Sequence, residues 1–514
     1  MKPRKYIVSD QPIGYNPARE ILRGVSWSIF MRWVIRFIGV ISTLILARLL
    51  SPEDFGIAAM GSLMIGLLFS VTESGAASLL IRTKEFDQVY CDTAWTISLL
   101  QNIIVGLLIV ILAPMAAVYF NEPRVIEVLY VLAIAVLVEG FASISPTLIR
   151  RELKFDLDFR FNIYKKFSVF FPTIGLAIWL GDYWALVLGT LVGTVINVLI
   201  SYAIHPYRPS FSLIRGLEYF HFALSIIPMQ IAYKLHEMAS KFIIGSVGNA
   251  SVMGNFTVSS DLATSFTHEI VSPIGRGLYP NYARLMDDRA QLTEFYIKIL
   301  GTIILLVIPM GAGVSVTATD LVATLLGEKW GAAVPLVEYL SFSGVLYAIT
   351  FVMYNQILVA AGRERQAAVL AWIRLLITVP VLWLGLSFEG ALGLAKATVV
   401  APLIYLPLVY LEVRQVVKLP ISTIAKISWR PVLGAFIMYL SVELLHLKSI
   451  DWAILRLISD AIFGAAVYAI TVLCLWILSG RPSGTESMSI KFVRKGLNKV
   501  RINWLSKCSY DKAS

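Results

Sequence analysis

Six basic residues lie inside long apolar stretches of the sequence, and they are its most informative chemical feature. They are Arg32, Arg36, Lys234, Lys241, Arg374 and Lys396. An ionised side chain at the centre of a membrane helix costs about 2.5–3.5 kcal/mol, so those that are retained usually face a bundle interior or a wet cavity. We therefore predict that the six line a cationic cavity. Two alternatives stay open, namely that Arg32 and Lys241 snorkel to the headgroups and that Lys234 pairs with Glu237.

Carboxylates in the same apolar stretches are candidates for coupling transport to an ion gradient. Glu139, Asp261 and Glu73 are the residues considered for this role, because buried carboxylates can carry protons or bind Na⁺. Glu139 and Asp261 are favoured, since they fall near the middle of their predicted spans. Each carboxylate could instead neutralise a neighbouring Arg or Lys.

The motifs of enzymes are missing from the sequence. It has no GxxxxGK[ST] loop, no GxSxG elbow and no His or Cys set with metal-ligand spacing. The three cysteines, Cys91, Cys474 and Cys508, form no motif. We therefore expect no catalytic activity, no metal and no cofactor, apart from H⁺ or Na⁺ as a coupling ion.

The composition indicates that these charges belong to a protein that spans a membrane. Of 514 residues, 57% are hydrophobic and 15% are charged, and the mean hydropathy is +0.75. Soluble chains are about a quarter charged, and many apolar runs here are long enough to cross a bilayer. The composition predicts an all-α polytopic membrane protein and argues against a soluble enzyme or a nucleic-acid-binding module, so nucleic acid is not an expected partner.

Apolar runs bounded by polar or Gly/Pro-rich breaks predict about fourteen transmembrane helices. They lie near 24–48, 56–81, 93–120, 125–149, 161–181, 183–204, 220–247, 251–275, 294–319, 332–361, 366–388, 390–411, 430–447 and 453–479. With both termini placed in the cytoplasm, the inner segments hold 33 of the 44 Lys and Arg residues, whereas the outer loops and their flanks hold five. This asymmetry follows the positive-inside rule and predicts cytoplasmic termini.

A weak internal repeat predicts how the helices are grouped. The turn that ends in Gly56 resembles the turn that ends in Gly254, at an offset of about 200 residues. Six helices separate the two turns, so two six-helix bundles of the same orientation are expected. The predicted organisation is an N-terminal segment (1–23), a bundle (24–204), a cytoplasmic linker (205–219), a second bundle (220–411), two accessory helices (412–479) and a basic amphipathic tail (480–514).

Four motifs carry a resemblance to a known family. They are ARLLSPEDFGIAAM (47–60), LIRRELKF (148–155), KFIIG (241–245) and LYPNYARL (278–285). They resemble the polysaccharide and O-antigen flippases, in particular the colanic and teichuronic acid exporter branch of the multidrug/oligosaccharidyl-lipid/polysaccharide exporter superfamily. The resemblance covers roughly residues 20–420. Members often carry Asn or Asp near the position of His236, Glu237 or Ser240, where this chain is richer in charge.

The resemblance implies a V-shaped transporter in the bacterial inner membrane. Such a protein moves an undecaprenyl-diphosphate-linked oligosaccharide, an exopolysaccharide or O-antigen unit, between leaflets by alternating access. The expected partners are this glycolipid, membrane lipids and the polysaccharide polymerase or export machinery. The alternatives are a multidrug or organic-cation antiporter of the same superfamily, for which an acidic cavity is expected, and a membrane-embedded glycan enzyme, for which a large outer loop or a His/Asp pair is expected.

Overall fold

The computed structural model describes residues 17–72, 75–76, 79–80, 87–152, 154–445, 452–482, 484–485 and 487. Within these ranges every regular element is helical, and the α-helices number fifteen. They are α1 (Pro17–Leu49), α2 (Pro52–Thr72), α3 (Gln88–Phe120), α4 (Val125–Gly140), α5 (Ser145–Arg151), α6 (Phe155–Leu180), α7 (Trp184–Ala203), α8 (Gly216–Val247), α9 (Ala250–Leu285), α10 (Arg289–Val316), α11 (Ala318–Leu325), α12 (Val334–Ala360), α13 (Glu364–Val417), α14 (Ile421–Leu445) and α15 (Ala453–Leu478). A 3₁₀ helix (Glu328–Ala333) precedes α12.

Apolar length confirms the predicted fold class. In the described ranges, eight helices are long and apolar enough to cross a membrane, and the bent pair α4 and α5 is a ninth candidate. The chain is therefore an all-α polytopic membrane protein. The number fourteen stays a prediction, and so does the amphipathic helix of the tail, because most of 480–514 lies outside the described residues.

Two breaks divide the long apolar runs. The helix predicted at 125–149 is interrupted, because α4 ends at Gly140 and α5 begins at Ser145 after a bend of 50°; whether the pair makes one span stays a prediction. Ser143 lies in the gap, where its N–H donates to Ser201 Oγ at 2.9 Å instead of continuing the helix. In α13 the helical geometry fails at Glu389 and Gly390 (φ 61°), a conformation that suits glycine. This second break falls at the boundary between the predicted spans 366–388 and 390–411.

The described residues form two compact units. The first takes its residues from Met1–Ser259, Leu325–Leu336 and Ala371–Ala397, and the second from Ser260–Thr324, Val337–Leu370 and Thr398–Ser514. The bundles predicted at 24–204 and 220–411 stay a prediction.

In the first unit, helices α2 and α9 touch backbone to backbone at their first turns. A methyl group on Gly56 would lie 1.7 Å from the carbonyl oxygen of Ala250, and one on Gly254 would lie 1.7 Å from that of Pro52. The two contacts are reciprocal and share one sequence offset, that of the predicted repeat. Only glycine allows backbones to approach so closely.

The turns before these glycines are also alike. Ser51 caps α2, since its Oγ accepts from Asp54 N–H at 3.2 Å while its own N–H donates to the Asp54 carboxylate at 2.8 Å. Asn249 caps α9, where its Oδ1 accepts from Val252 N–H at 2.9 Å. Ser51 and Asn249 are separated by the same offset as the glycines, so local capping chemistry fixes both entry turns.

The segment between α7 and α8 is bonded to the beginning of α3. Asp92, which is 5% exposed, accepts from Tyr207 Oη at 2.7 Å and from Ser210 Oγ at 2.6 Å. Thr96 Oγ1 accepts from Ser212 N–H at 3.0 Å. The predicted linker is therefore attached to α3 through a buried carboxylate.

An ion-pair cluster joins the start of α2 to the turn between α3 and α4. Arg124 Nε donates to Glu122 Oε1 at 2.7 Å, and Arg124 Nη2 donates to Glu53 Oε1. The hydrogen bonds that Arg124 donates to Glu122 stabilise the Glu122 carboxylate and lower its pKa below the usual 4.5.

The lowered pKa of Glu122 predicts a loss of stability in acid. Because the unfolded carboxyl takes up its proton near pH 4.5 and the folded one only at lower pH, the stabilisation is complete above that pH and disappears as the pH falls through the folded pKa. Thermal unfolding in detergent between pH 6 and pH 3 measures this loss. The control Arg124→Gln should flatten the acid slope, and an unchanged slope in this variant would contradict the assignment.

In the second unit, α10, α14 and α15 pack together. Ala312, Ala435 and Met438 form the centre of this contact, and Tyr468 Oη donates to the Leu305 carbonyl at 2.7 Å. The predicted accessory helices thus pack on α10.

A buried ion pair also fixes α15 within this unit. Arg456 donates to Asp320 Oδ1 from Nε at 2.8 Å and from Nη2 at 2.7 Å. Asp320 is 1% exposed, so the carboxylate that α11 contributes is held away from solvent by a guanidinium from α15.

Candidate functional site

Arg374 is the most deeply buried of the six predicted basic residues whose side chains are described. It lies about 15 Å along α13 and is 4% exposed. Its Nη2 donates to Nε2 of His236 on α8, at 3.2 Å. Since Nε2 accepts this hydrogen bond, the imidazole partner is neutral and the positive charge stays on the guanidinium.

Two of the predicted lysines form ion pairs within the first unit. Lys234 Nζ lies 2.9 Å from Glu237 Oε2 on the same face of α8, and both side chains are exposed. This geometry agrees with the alternative that Lys234 pairs with Glu237. Lys396 Nζ lies 2.5 Å from Glu389 Oε2, so this pair spans the break in α13.

The other predicted basic residues are placed less completely. Arg36 and Lys241 are half-buried on α1 and α8, and each has further interactions. Arg32 belongs to α1, but its side chain lies outside the described residues. The shared cavity of the six residues stays a prediction.

Glu139 lies in a polar cluster at the end of α4. Its Oε1 accepts from Asn197 Nδ2 at 3.4 Å and lies 3.8 Å from Lys165 Nζ. The second predicted carboxylate, Asp261 on α9, is exposed. The third, Glu73, lies outside the described residues. Ion coupling by these residues stays a prediction, and the contact of Glu139 with Lys165 agrees with a neutralising role.

Sequence reasoning missed Lys165 and Lys166 as candidate site residues of a membrane-length helix. Both lysines fall inside the predicted span 161–181, but they were counted with the inner basic residues, and α6 begins earlier, at Phe155. The signal that could have placed them is the apolar sequence on both sides of the pair, FNIY before it and FSVFF after it.

The described side chains do not form a metal centre. Within the described ranges, no group of three or more His, Cys, Asp or Glu side chains is placed to hold a metal ion. The chemistry available at the polar positions of the first unit is therefore hydrogen bonding and charge, with guanidinium and ammonium groups as donors.

Comparison with known sequences identifies the family. A family model described as "Polysaccharide biosynthesis protein" matches residues 45–335, which is more than half of the chain. The chain belongs to this family. The match includes all four motifs in full, and members of this family are transport proteins and not catalysts.

Relatives match across most of their length. The succinoglycan biosynthesis transport protein ExoT of Rhizobium meliloti is 23% identical over 89% of this chain and 93% of its own. The lipopolysaccharide biosynthesis protein WzxC of Escherichia coli is 21% identical over 73% of this chain and 77% of its own. The teichuronic acid biosynthesis protein TuaB of Bacillus subtilis is 20% identical over 68% and 73%. This polysaccharide family is therefore the one that the motifs predicted.

Solved structures confirm the fold. The lipid II flippase MurJ in an inward closed conformation matches with a TM-score of 0.71 at 14% identity, over 88% of this chain and 99% of its own. An inward-facing multidrug resistance MATE family transporter matches with a TM-score of 0.56 at 15% identity, over 75% and 96%. The fold of this family member is therefore that of these transporters.

Proposed function

We propose that this protein is a flippase that moves an undecaprenyl-diphosphate-linked oligosaccharide from the inner to the outer leaflet of a bacterial inner membrane. The observation that carries the proposal is the buried guanidinium of Arg374, which lies within a helix of membrane length and donates to a neutral imidazole. A diphosphate must lose water to cross hydrocarbon, and buried cations offset that cost. The names of the relatives, which refer to succinoglycan, lipopolysaccharide and teichuronic acid, support a glycan as the cargo.

The same charges argue against an organic-cation exporter. A cation exporter requires carboxylates at its binding site, whereas the first unit holds half-buried Arg36 and buried Arg374. The likeness to the MATE transporter concerns the fold and carries no information about cargo. Alternating access, cytoplasmic termini and coupling to H⁺ or Na⁺ belong to the proposal.

Leaflet accessibility tests the proposal directly. The purified full chain is placed in proteoliposomes that contain a fluorescent undecaprenyl-diphosphate-linked oligosaccharide, and the fraction in each leaflet is followed with an impermeant quencher. We expect the protein to accelerate transfer between leaflets relative to empty liposomes. Equal rates with and without protein, using the precursor made by the source cell, would exclude the flippase function.

Loss of the Arg374 charge should stop transport. Arg374→Gln keeps a polar side chain but removes the charge that faces the cargo phosphates, and we expect the transfer rate to fall about tenfold or more. Arg374→Lys should retain part of the activity.

The matched control is Lys298→Ala, which removes an exposed cation already paired with Glu294 and should change the rate less than threefold. Protein yield and Tm are measured for all three variants, so that a rate loss is not confused with unfolding. A wild-type rate in a folded Arg374→Gln variant would refute the role of the guanidinium.

A further inference from the structure

His205 is a buried histidine in the segment between α7 and α8. It comes just after the end of α7 and is 8% exposed. Its Nδ1 accepts a hydrogen bond from the backbone N–H of Tyr207 at 3.1 Å. A ring nitrogen that accepts carries no proton, so the imidazole is neutral and its proton is on Nε2. The side chain thus closes a tight turn over residues 205–207, as an Asn or Asp side chain often does.

This turn positions the residue that attaches the segment to α3. Tyr207 is 1% exposed and packs with Tyr90 and Cys91 of α3 in one apolar cluster. Its Oη donates to the buried carboxylate of Asp92 at 2.7 Å. The ring of His205 therefore holds the backbone of the same residue whose side chain is bonded to α3.

Among the described residues, three charged side chains act on the His205 ring. They are Glu152 at the end of α5, Lys154 at the start of α6 and Arg208 in the segment itself. Glu152 Oε1 lies 3.7 Å from His205 Nε2, while its Oε2 lies 2.7 Å from Lys154 Nζ. Burial lowers the pKa of His205 below its usual 6.5; Glu152 opposes this shift, and the two cations add to it.

We infer that His205 is a pH-sensitive switch that releases the segment between α7 and α8 from α3 in acid. A second proton on the imidazole must bind Nδ1, because Nε2 already carries one. Nδ1 is the atom that accepts from Tyr207, so two N–H groups would then face each other and the turn over 205–207 would open. Tyr207 and Ser210 would lose the backbone positions from which they donate to Asp92. The switch does not depend on the identity of the cargo.

The direction of the switch follows from two protonation equilibria. In the released segment the imidazole is in water and takes up its proton near pH 6.5, whereas in the attached segment it does so only at lower pH. Attachment is therefore fully stable above pH 6.5, and it weakens as the pH falls from there through the pKa of the attached state.

Hydrogen–deuterium exchange of the purified full chain in detergent tests the switch. The exchange rates of residues 205–212, corrected for the intrinsic pH dependence of exchange, give the opening constant of the segment. We expect this constant to rise about fivefold or more between pH 7.5 and pH 5.0. Residues 103–113 in the middle of α3 should change less than twofold. A constant for 205–212 that is the same at both pH values in the wild type would overturn the switch.

His205→Asn separates the histidine from other groups that titrate in acid. The Asn Oδ1 can accept from the Tyr207 N–H in a similar turn but takes up no proton, so we expect the acid response to fall below twofold. The matched control is His221→Asn. His221 is an exposed histidine near the start of α8, with Nδ1 2.8 Å from the Leu217 carbonyl oxygen, and its loss should leave the acid response unchanged. An acid response that persists in a His205→Asn protein of wild-type Tm would refute the inference.

Tyr207→Phe tests the order of the two steps. This variant removes the hydrogen bond from Oη to Asp92 but keeps the N–H that donates to His205. We expect a larger opening constant at both pH values and the same ratio between them. A ratio that falls to one would show that the proton acts at Asp92 and would also overturn the role of His205.

Discussion

A Gly56→Ala variant is expected to unfold more readily than the wild type, by about 2 kcal/mol or more. The added methyl group would lie 1.7 Å from the carbonyl oxygen of Ala250, and this neighbour is backbone, so it cannot rotate away as a side chain would. Helices α2 and α9 would have to separate at their first turns. The loss in free energy of unfolding should be at least that of an overpacked core. Chemical denaturation in detergent, with yield and Tm as companions, measures the change.

The control for this prediction is Gly175→Ala in α6, where a methyl group would meet nothing within 4 Å. That variant should be neutral or slightly stabilising, by up to about 1 kcal/mol, because alanine favours the helix over glycine.

Reciprocity gives a sharper test. Once Gly56→Ala has separated the turns, adding Gly254→Ala should cost less than it does alone, because the two substitutions act on one contact. Strictly additive losses, or no loss in either single variant, would show that the turns are not in contact.

The second large effect is expected from Arg456→Ala, which should lower the free energy of unfolding by about 3 kcal/mol or more. Asp320 would then be a buried carboxylate without its guanidinium partner, and removing one side of a buried pair is far more costly than the pair is worth. The companion Asp320→Asn removes the charge that needs a partner, so the double variant should recover part of the loss.

An exposed ion pair provides the comparison. Lys298 and Glu294 pair one turn apart on α10, and both side chains are exposed. Lys298→Ala should therefore change stability by less than about 0.5 kcal/mol. Equal losses in Lys298→Ala and Arg456→Ala, measured by the same unfolding assay, would rule out the structural role of the α15 ion pair.

Much of the fold could be predicted from the sequence because membrane helices obey local rules. Apolar length placed most spans within a few residues of the observed helices, and the boundary at Glu389 and Gly390 was visible as a polar residue followed by a glycine. The break after Gly140 was not predicted, although Gly140 and Pro146 stand near it in the sequence, because the bend depends on Ser143, which bonds to a distant serine on α7.

The candidate site was predicted less completely, because its hydrogen bonds and ion pairs join residues that are far apart in sequence. Arg374 was identified from its apolar surroundings, but its partner His236 could only be found in the structure. Arg456 and Asp320 were not predicted to meet, since 136 positions separate them. Lys166 was missed for a local reason, since it lies near the start of the predicted span 161–181 and was counted with the inner basic residues.

The attachment of the segment between α7 and α8 determines where this protein can be labelled. A fluorophore attached at Ser210, or a protease-cleavage sequence inserted there, would break the hydrogen bond from Ser210 to Asp92. The carboxylate near the beginning of α3 would then lose a hydrogen-bond donor. Ile214, four residues later, is 77% exposed, so an epitope inserted at this position would displace no buried side chain. Ile214 is therefore better suited to carry a reporter than Ser210, a distinction that the polar sequence of the segment alone does not indicate.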